Sequence, residues 1–284
     1  MSQHSEIRGR RYNQCSTHVA VARVSAHRHG RTDNTPIVFL DFDGTITRRD
    51  ATDAILEAYA DPQWLRIEEE WNAGRISSRE CLRAQMAMVR ATHKQIDALL
   101  DGIEVDAGFV PLLETGAAHG VPIHIVSDGF DYCIRRILSR PWLGLAPYLQ
   151  GVQIVSSHLE PDGTRWQVGF LSFDEACVHG CGTCKPATME LLNPTDRPTL
   201  FVGDGLSDQH AASRADLVFA KDKLASYCDE RAILYTPYDN LATIARRLDE
   251  LLESNTVFER RSVAKLVTDG HRRDWDHGRA SPMT

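Results

Sequence analysis

The chain lacks the features that would define several other kinds of protein. No stretch of it approaches the roughly 20 apolar residues that a membrane-spanning helix needs, so no bilayer contact is expected. The first thirty residues hold no apolar core segment, so no secretory leader is expected either. There is no basic surplus: 32 Lys and Arg face 39 Asp and Glu, a formal charge of -7, which argues against a nucleic-acid binder with a basic face. Cysteine is present in an odd number, seven, and unevenly spaced. That suits reduced thiols in the cytoplasm, or a metal site, better than a disulfide framework. No internal repeat is visible. What remains is a 284-residue chain with 42% apolar and 25% charged residues, enough to bury a substantial core.

Residues 1–35 are polar and rich in Arg and His, with Glu6 and Asp33 as their only acids, and read as a disordered extension. Residues 259–284 read as a polar tail. Between them, strand signals alternate with helical ones. Ile37–Leu40, Ile123–Val126, Thr199–Val202 and Leu217–Phe219 are short β-branched or apolar runs. The periodicity around Leu112, Ile134, Met189 and Leu241–Leu252 is helical. This alternation predicts an α/β fold, a Rossmann-like and mostly parallel sheet with helices on both faces. Residues 36–50 and 107–258 would form that core. Residues 51–106 are helical throughout and read as a cap inserted after the first strand, with Ser77 and Glu80 as a capping box inside it. Val152–Ser156 and Arg165–Phe170 predict a hairpin, with Pro161-Asp162-Gly163 as its turn.

The chemistry starts at Asp41-Phe42-Asp43-Gly44-Thr45, directly after the first strand. Two carboxylates this close repel, and call for a cation between them or a proton on one. Gly44 and Thr45 let the backbone turn and aim amides at an anion. Three more groups follow predicted strands or open predicted helices. Ser127-Asp128-Gly129 offers a hydroxyl and amides to phosphate ahead of a helix. Lys185-Pro186 opens another helix, where the lysine can neutralise phosphate oxygens. Gly203-Asp204-Gly205-Leu206-Ser207-Asp208 returns two acids to the same sheet edge. Any one of these segments is commonplace, and their ordered combination is specific.

DFDGT, IVSDGFD, CGTCKP and GDGLSD, in that order, resemble the four motifs of the haloacid-dehalogenase-like phosphohydrolases. The resemblance runs from Ile37 to Leu252. A helical, C1-type cap between the first two motifs is similar to the phosphoserine-phosphatase-like branch. Asp50, the cysteine-bearing CGTCKP and Val218-Phe219-Ala220-Lys221 are most similar to the methionine-salvage phosphatases for 2-hydroxy-3-keto-5-methylthiopentenyl-1-phosphate. The resemblance implies an Mg²⁺-dependent phosphomonoesterase acting on a small phosphorylated metabolite. Asp41 would be the nucleophile and Asp43 the acid and base. The Asp41 carboxylate, the Asp43 carbonyl and Asp204 would hold Mg²⁺, with Asp208 behind Lys185 or a metal-bound water. Such an enzyme would be a monomer or a homodimer.

Two local features leave alternatives open. Phosphoserine phosphatases carry Glu where this chain has Asp50, and a cap Arg where an ungapped reading places Gln85; Arg83 lies two residues away. Loss of that carboxylate clamp argues against phosphoserine. Asp50 also fits the N-cap of the first cap helix. Cys177, His179, Cys181 and Cys184 fall within eight residues, as either a structural Zn²⁺ site or a reduced thiol-rich loop. His124 is expected in the core, His210 on a helix facing solvent, and Trp64 and Trp71 in a small hydrophobic core. A phosphatase for another metabolite or a nucleotide, and a non-catalytic binding protein on the same fold, are the competing functions.

Overall fold

The computed structural model describes residues 35–171, 177 and 179–254. The extension to residue 34 and the tail from residue 255 lie outside the described residues. A sheet of seven strands is ordered β4-β3-β2-β1-β5-β6-β7. β1 (Ile37–Leu40) is its centre, parallel to β2 (Ile123–Phe130) on one side and to β5 (Thr199–Gly203) on the other. β3 (Ile154–Asp162) continues the parallel order beyond β2, as do β6 (Leu217–Ala220) and β7 (Thr236–Pro237) beyond β5. Only β4 (Arg165–Gly169) runs antiparallel, against β3. Strand order therefore reverses at β1, and a crevice opens beyond its carboxyl end, where such sheets hold ligands.

Side chains alternate across β1 as the pleat requires. Val38 and Leu40 join the larger apolar layer with Leu112, Ile244 and Leu248. Ile37 and Phe39 join the opposite layer with Met189, Phe201 and Leu224. The larger layer is covered by α5 (Phe109–His119) and α10 (Leu241–Glu253), and the other by α7 (Lys185–Leu192), α8 (Gln209–Ala212) and α9 (Asp222–Glu230). α5 and α10 touch closely: a Cβ on Gly108 would lie 2.0 Å from the Ala242 backbone nitrogen.

Four helices, α1 (Ala51–Tyr59), α2 (Trp64–Asn72), α3 (Ser78–Met86) and α4 (His93–Asp101), lie between β1 and α5. A bridge between Thr47 and Val105 joins the two connecting segments at their base. Asp50 caps α1, accepting from the Thr52 and Asp53 amides at 2.7 and 3.0 Å. Ser77 and Glu80 close the capping box on α3. Apolar residues of these helices, Ile55, Leu56, Met86, Ile96 and Leu100, are fully buried and continuous with the larger core layer.

Two local expectations are corrected. Pro161 and Asp162 are not turn residues: they pair with Trp166 and Arg165 inside the hairpin, leaving Gly163-Thr164 as a two-residue turn with Gly163 at φ +64°. The proline is tolerated because β3 becomes an edge partner of β4 alone at that point. β2 also outlasts its apolar run. It carries Ser127-Asp128-Gly129 as irregular extended backbone, with a register shift between Val126 and Phe130, before α6 (Asp131–Leu138) begins.

Candidate active site

Each catalytic candidate is set by the end of a strand or the start of a helix. Asp41 leaves β1 with its amide bonded to the Val202 carbonyl of β5 (2.9 Å), and is 5% exposed. Gly44 turns the chain at φ +75°, and a Cβ there would lie 2.2 Å from Asp204 Oδ2. Only glycine meets both demands. Gly129 is required for a second close approach, since a Cβ would lie 2.2 Å from Asp43 Oδ2.

Lys185, the first residue of α7, is 1% exposed. Its Nζ lies 2.9 Å from Asp41 Oδ1 and 2.5 Å from Asp208 Oδ1. Burial opposes its charge, but the carboxylates of Asp208 and Asp41 outweigh burial and hold its pKa above the usual lysine range. The other oxygen of Asp208 accepts from the Asp204 and Gly205 amides, each at 3.0 Å. Asp208 is fully buried and thereby ties the β5 loop to the lysine.

Asp41, Asp204 and Asp208 offer oxygens within 4.8 Å of one another, the one group of three or more metal-binding side chains so placed among the described residues. Burial and the Asp208 charge raise Asp41 well above the carboxylate range, partly offset by Lys185. Burial and Asp208 also push Asp204 up to about 7, against a 2.7 Å hydrogen bond from the Thr45 hydroxyl. Buried acids held together at such cost fit a divalent cation, which would reverse both shifts. With both Asp208 oxygens engaged, Asp41 and Asp204 are the carboxylates left to hold one.

Asp43 accepts from the Ala51 amide at 2.8 Å. Burial, then the neighbouring Asp50 charge, raises its pKa well above the ordinary value, which favours the protonated acid. Ser127 is 1% exposed and its hydroxyl accepts from the Gly129 amide at 3.0 Å. Asp128 accepts from the Thr183 amide at 3.0 Å. Thr45 turns its hydroxyl to Asp204 and Tyr238.

Strand ends and helices α1 to α3 enclose a cavity of about 410 Å³. Its floor contains Asp41, Asp43, Gly44, Ser127, Gly129 and Asp204. Its roof contains Asp50, Asp53, Glu68, Trp71, Leu82 and Gln85, with Arg48, Lys221 and Lys223 also on the lining. Gln85 is 2% exposed and donates from Nε2 to Glu68 Oε2 at 2.9 Å. Arg83 is not part of this lining; its guanidinium lies 5.2 Å from the Phe170 ring centroid. Trp71 was expected in a small core but lines the cavity, held by a 3.1 Å bond from its Nε1 to Ser78. Trp64 is buried among apolar residues and His124 lies in β2, 9% exposed. Lys221 ends the Val218-Phe219-Ala220-Lys221 motif, whereas Glu68, Asp53, Lys223 and Tyr238 are lining or supporting residues that sequence reasoning did not single out.

The cysteine loop does not gather four ligands. Cys177 and Cys181 sulfurs are 3.7 Å apart, whereas the His179 ring stacks on His210 with centroids 4.0 Å apart. His210 is thus half-buried rather than solvent-facing, and burial, with His179 beside it, lowers its pKa to about 4.

Residues 38–213 match the family model described as haloacid dehalogenase-like hydrolase. A 2-hydroxy-3-keto-5-methylthiopentenyl-1-phosphate phosphatase of Bacillus cereus (strain B4264) is 29% identical over 225 residues, 76% of this chain and 97% of the relative. That of Geobacillus kaustophilus (strain HTA426) is 30% identical over 205 residues, 71% of this chain and 90% of the relative. A substrate-bound phosphoserine phosphatase complex shares the fold, with TM-score 0.58 at 17% identity over 75% of this chain and 98% of that one. So does a phospho-aspartyl intermediate analogue of phosphoserine phosphatase, with TM-score 0.58 at 18% identity over 75% and 99%.

Proposed function

This chain belongs to the haloacid dehalogenase-like hydrolases, and from that premise we propose that it hydrolyses a small, carboxylate-free phosphate monoester, a methionine-salvage enol phosphate foremost. The observation that carries the reading is Lys185, buried and charged between Asp41 and Asp208 at the end of the central strands. A cation fixed there has an anion to hold, and its neighbour Asp41 is placed to be the nucleophile.

An Asp41 oxygen attacks phosphorus in line as the ester P–O bond breaks, giving an aspartyl-phosphate. Asp43, kept protonated by burial and Asp50, gives its proton to the leaving alkoxide. Asp43 then takes a proton from water, which attacks the acyl phosphate and frees Asp41. Ser127, Lys185 and the amides near Gly44 and Gly129 hold the phosphoryl oxygens as charge spreads over them. Asp41 and Asp204 would hold Mg²⁺, which when bound neutralises phosphate charge and keeps Asp41 ionised.

The roof supports the choice of leaving group. Glu68 is fixed by Gln85, and Asp50 and Asp53 share the same cavity. Burial and the Asp50 and Glu68 charges push Asp53 up to about 7, so these acids already repel one another. A substrate carboxylate would add to that repulsion, and the lining cations Arg48, Lys221 and Lys223 already face the acids Asp41, Asp43, Asp50, Asp53, Glu68 and Asp204 on the same lining. Hydroxyl donors would be welcome. The relatives named as 2-hydroxy-3-keto-5-methylthiopentenyl-1-phosphate phosphatases support the same class.

The test is Asp41→Asn assayed with p-nitrophenyl phosphate and Mg²⁺. Turnover should fall by about a thousandfold or more, the scale on which a covalent nucleophile contributes. Hydrolysis near the wild-type rate would exclude Asp41 as nucleophile.

A further inference from the structure

The loop before Lys185 does no chemistry in the reaction above, yet it is tied to the cap and the phosphate site at once. Gly180 offers its carbonyl to the Arg79 amide at 3.1 Å, at the start of α3. Its φ is +62°, and a Cβ would lie 2.5 Å from Ser77 Cβ, so backbone sits directly on the helix cap. Gly182 has no slack either: a Cβ would lie 3.0 Å from Ser157 Oγ and 3.1 Å from Leu82 Cδ1. Thr183 donates its amide to Asp128 at 3.0 Å, and Cys184 follows at the N-cap position of the helix that begins with Lys185, without a side-chain capping bond.

Within this strap, Cys177 and Cys181 hold their sulfurs 3.7 Å apart. They are the half-buried thiols among the described cysteines; Cys81, Cys133, Cys184 and Cys228 are buried. The two thiols are also unequal. Burial opposes ionisation of Cys177, but the Cys181 and His179 amides and the neighbouring thiols outweigh it and hold Cys177 below the usual thiol range. Burial and the Asp128 charge raise Cys181. One member is suited to attack and the other to resolve.

We propose that Cys177 and Cys181 are an oxidisable dithiol, a modification site for hydroperoxides whose closure into a disulfide disturbs the strap between cap and phosphate site. The Cys177 thiolate attacks the peroxide oxygen, the O–O bond breaks, and sulfenic acid and hydroxide (or an alkoxide) form. Cys181 sulfur then attacks Cys177 sulfur. An S–S bond forms, the S–O bond breaks, and the departing hydroxide leaves as water with the Cys181 proton. Two thiols are oxidised and one peroxide is reduced; a dithiol reductant reverses the change. Closure to about 2.0 Å requires the sulfurs to approach by roughly 1.7 Å. Gly180 and Gly182, packed against Ser77 and Ser157, must absorb that movement.

The experiment treats the reduced full-length protein with a few equivalents of hydrogen peroxide. It reads intact mass without alkylation, and p-nitrophenyl phosphate hydrolysis before and after dithiothreitol. The wild type should lose about 2 Da, the two hydrogens of a disulfide. Its kcat/KM should fall about tenfold, within the range set by a shift on the order of 1 Å near a catalytic group, and dithiothreitol should restore it. Cys184→Ser should behave like wild type. Cys177→Ser and Cys181→Ser should show no mass loss, each judged against its own reduced form with folding checked by circular dichroism. Mass loss persisting in either variant, or vanishing in Cys184→Ser, overturns the pair. Mass loss with unchanged activity overturns the coupling. The activity arm rests on the phosphatase reading and the mass arm does not, so a reduced protein without hydrolysis would count against that reading alone.

Discussion

Replacing Asp208 with Asn should cost this protein both stability and turnover, although Asp208 touches no reacting atom in the proposed mechanism. Asp208 is fully buried, takes Lys185 Nζ on one oxygen at 2.5 Å, and takes two backbone amides on the other at 3.0 Å. Removing one partner of a buried ion pair costs roughly 3–5 kcal/mol. Three features place this case at the lower end. Asn keeps an acceptor for the amides, Asp41 stays 2.9 Å from the lysine, and the repulsion that raises Asp41 and Asp204 is relieved. An effect of about 3 kcal/mol in a domain of this size corresponds to a fall in Tm of about 6–12 °C. Lys185 would be left with Asp41 as its remaining carboxylate partner among those two, drawn onto the nucleophile instead of poised between nucleophile and phosphate. Mispositioning of a phosphate-holding group of this kind costs on the order of a hundredfold in kcat. Calorimetry and steady-state hydrolysis of p-nitrophenyl phosphate read the two effects separately. A Tm within about 2 °C of wild type, together with turnover within about threefold, would refute the view that Asp208 sets the position of Lys185.

Three further outcomes are expected, besides the loss of turnover in Asp41→Asn. Gly129→Ala should lower kcat by about a hundredfold or more, because its methyl group would lie 2.2 Å from Asp43 Oδ2; Gly74→Ala, with φ +69° and open space around it, should cost only about 1 kcal/mol of stability and leave kinetics unchanged. Asp204 is raised to about 7 in the folded protein, against about 4 unfolded, so the native state binds more protons and metal-free stability falls as pH rises through that window; the Tm gained on adding Mg²⁺ should therefore be small at low pH and larger above neutrality, and a pH-independent gain would contradict metal binding at Asp204. Glu68→Gln should narrow the preference for 2-hydroxyethyl phosphate over phosphoglycolate by about five- to tenfold in kcat/KM, the effect of one roof charge at moderate effective dielectric; an unchanged ratio would remove Glu68 from specificity.

By itself, the sequence determined the central architecture, and it singled out the residues that the proposed mechanism uses. Short β-branched or apolar runs, the first followed directly by Asp41 and the third closely by Asp204, read as buried strands, and the helical periodicity between them points to a parallel sheet covered on both faces. Local rules also reached the Ser77–Glu80 capping box and Asp50 as a helix cap, since capping is a matter of a few neighbouring residues. Local rules failed where partners are distant. Pro161-Asp162-Gly163 has turn composition, but pairing with Trp166 and Arg165 extends the strand through it. Trp71 has core spacing, but the approach of cap to strand ends turns it toward the cavity. His210 has the look of a surface residue until His179 stacks on it. Which of Arg83 and Gln85 lines the cavity depends on helix rotation, and Glu68 enters the roof only because α2 and α3 pack side by side. Lys185 was legible as a phosphate-binding type. Its position between Asp41 and Asp208, residues far apart in the chain, is a property of three strand and helix ends meeting, and only the tertiary structure decided that.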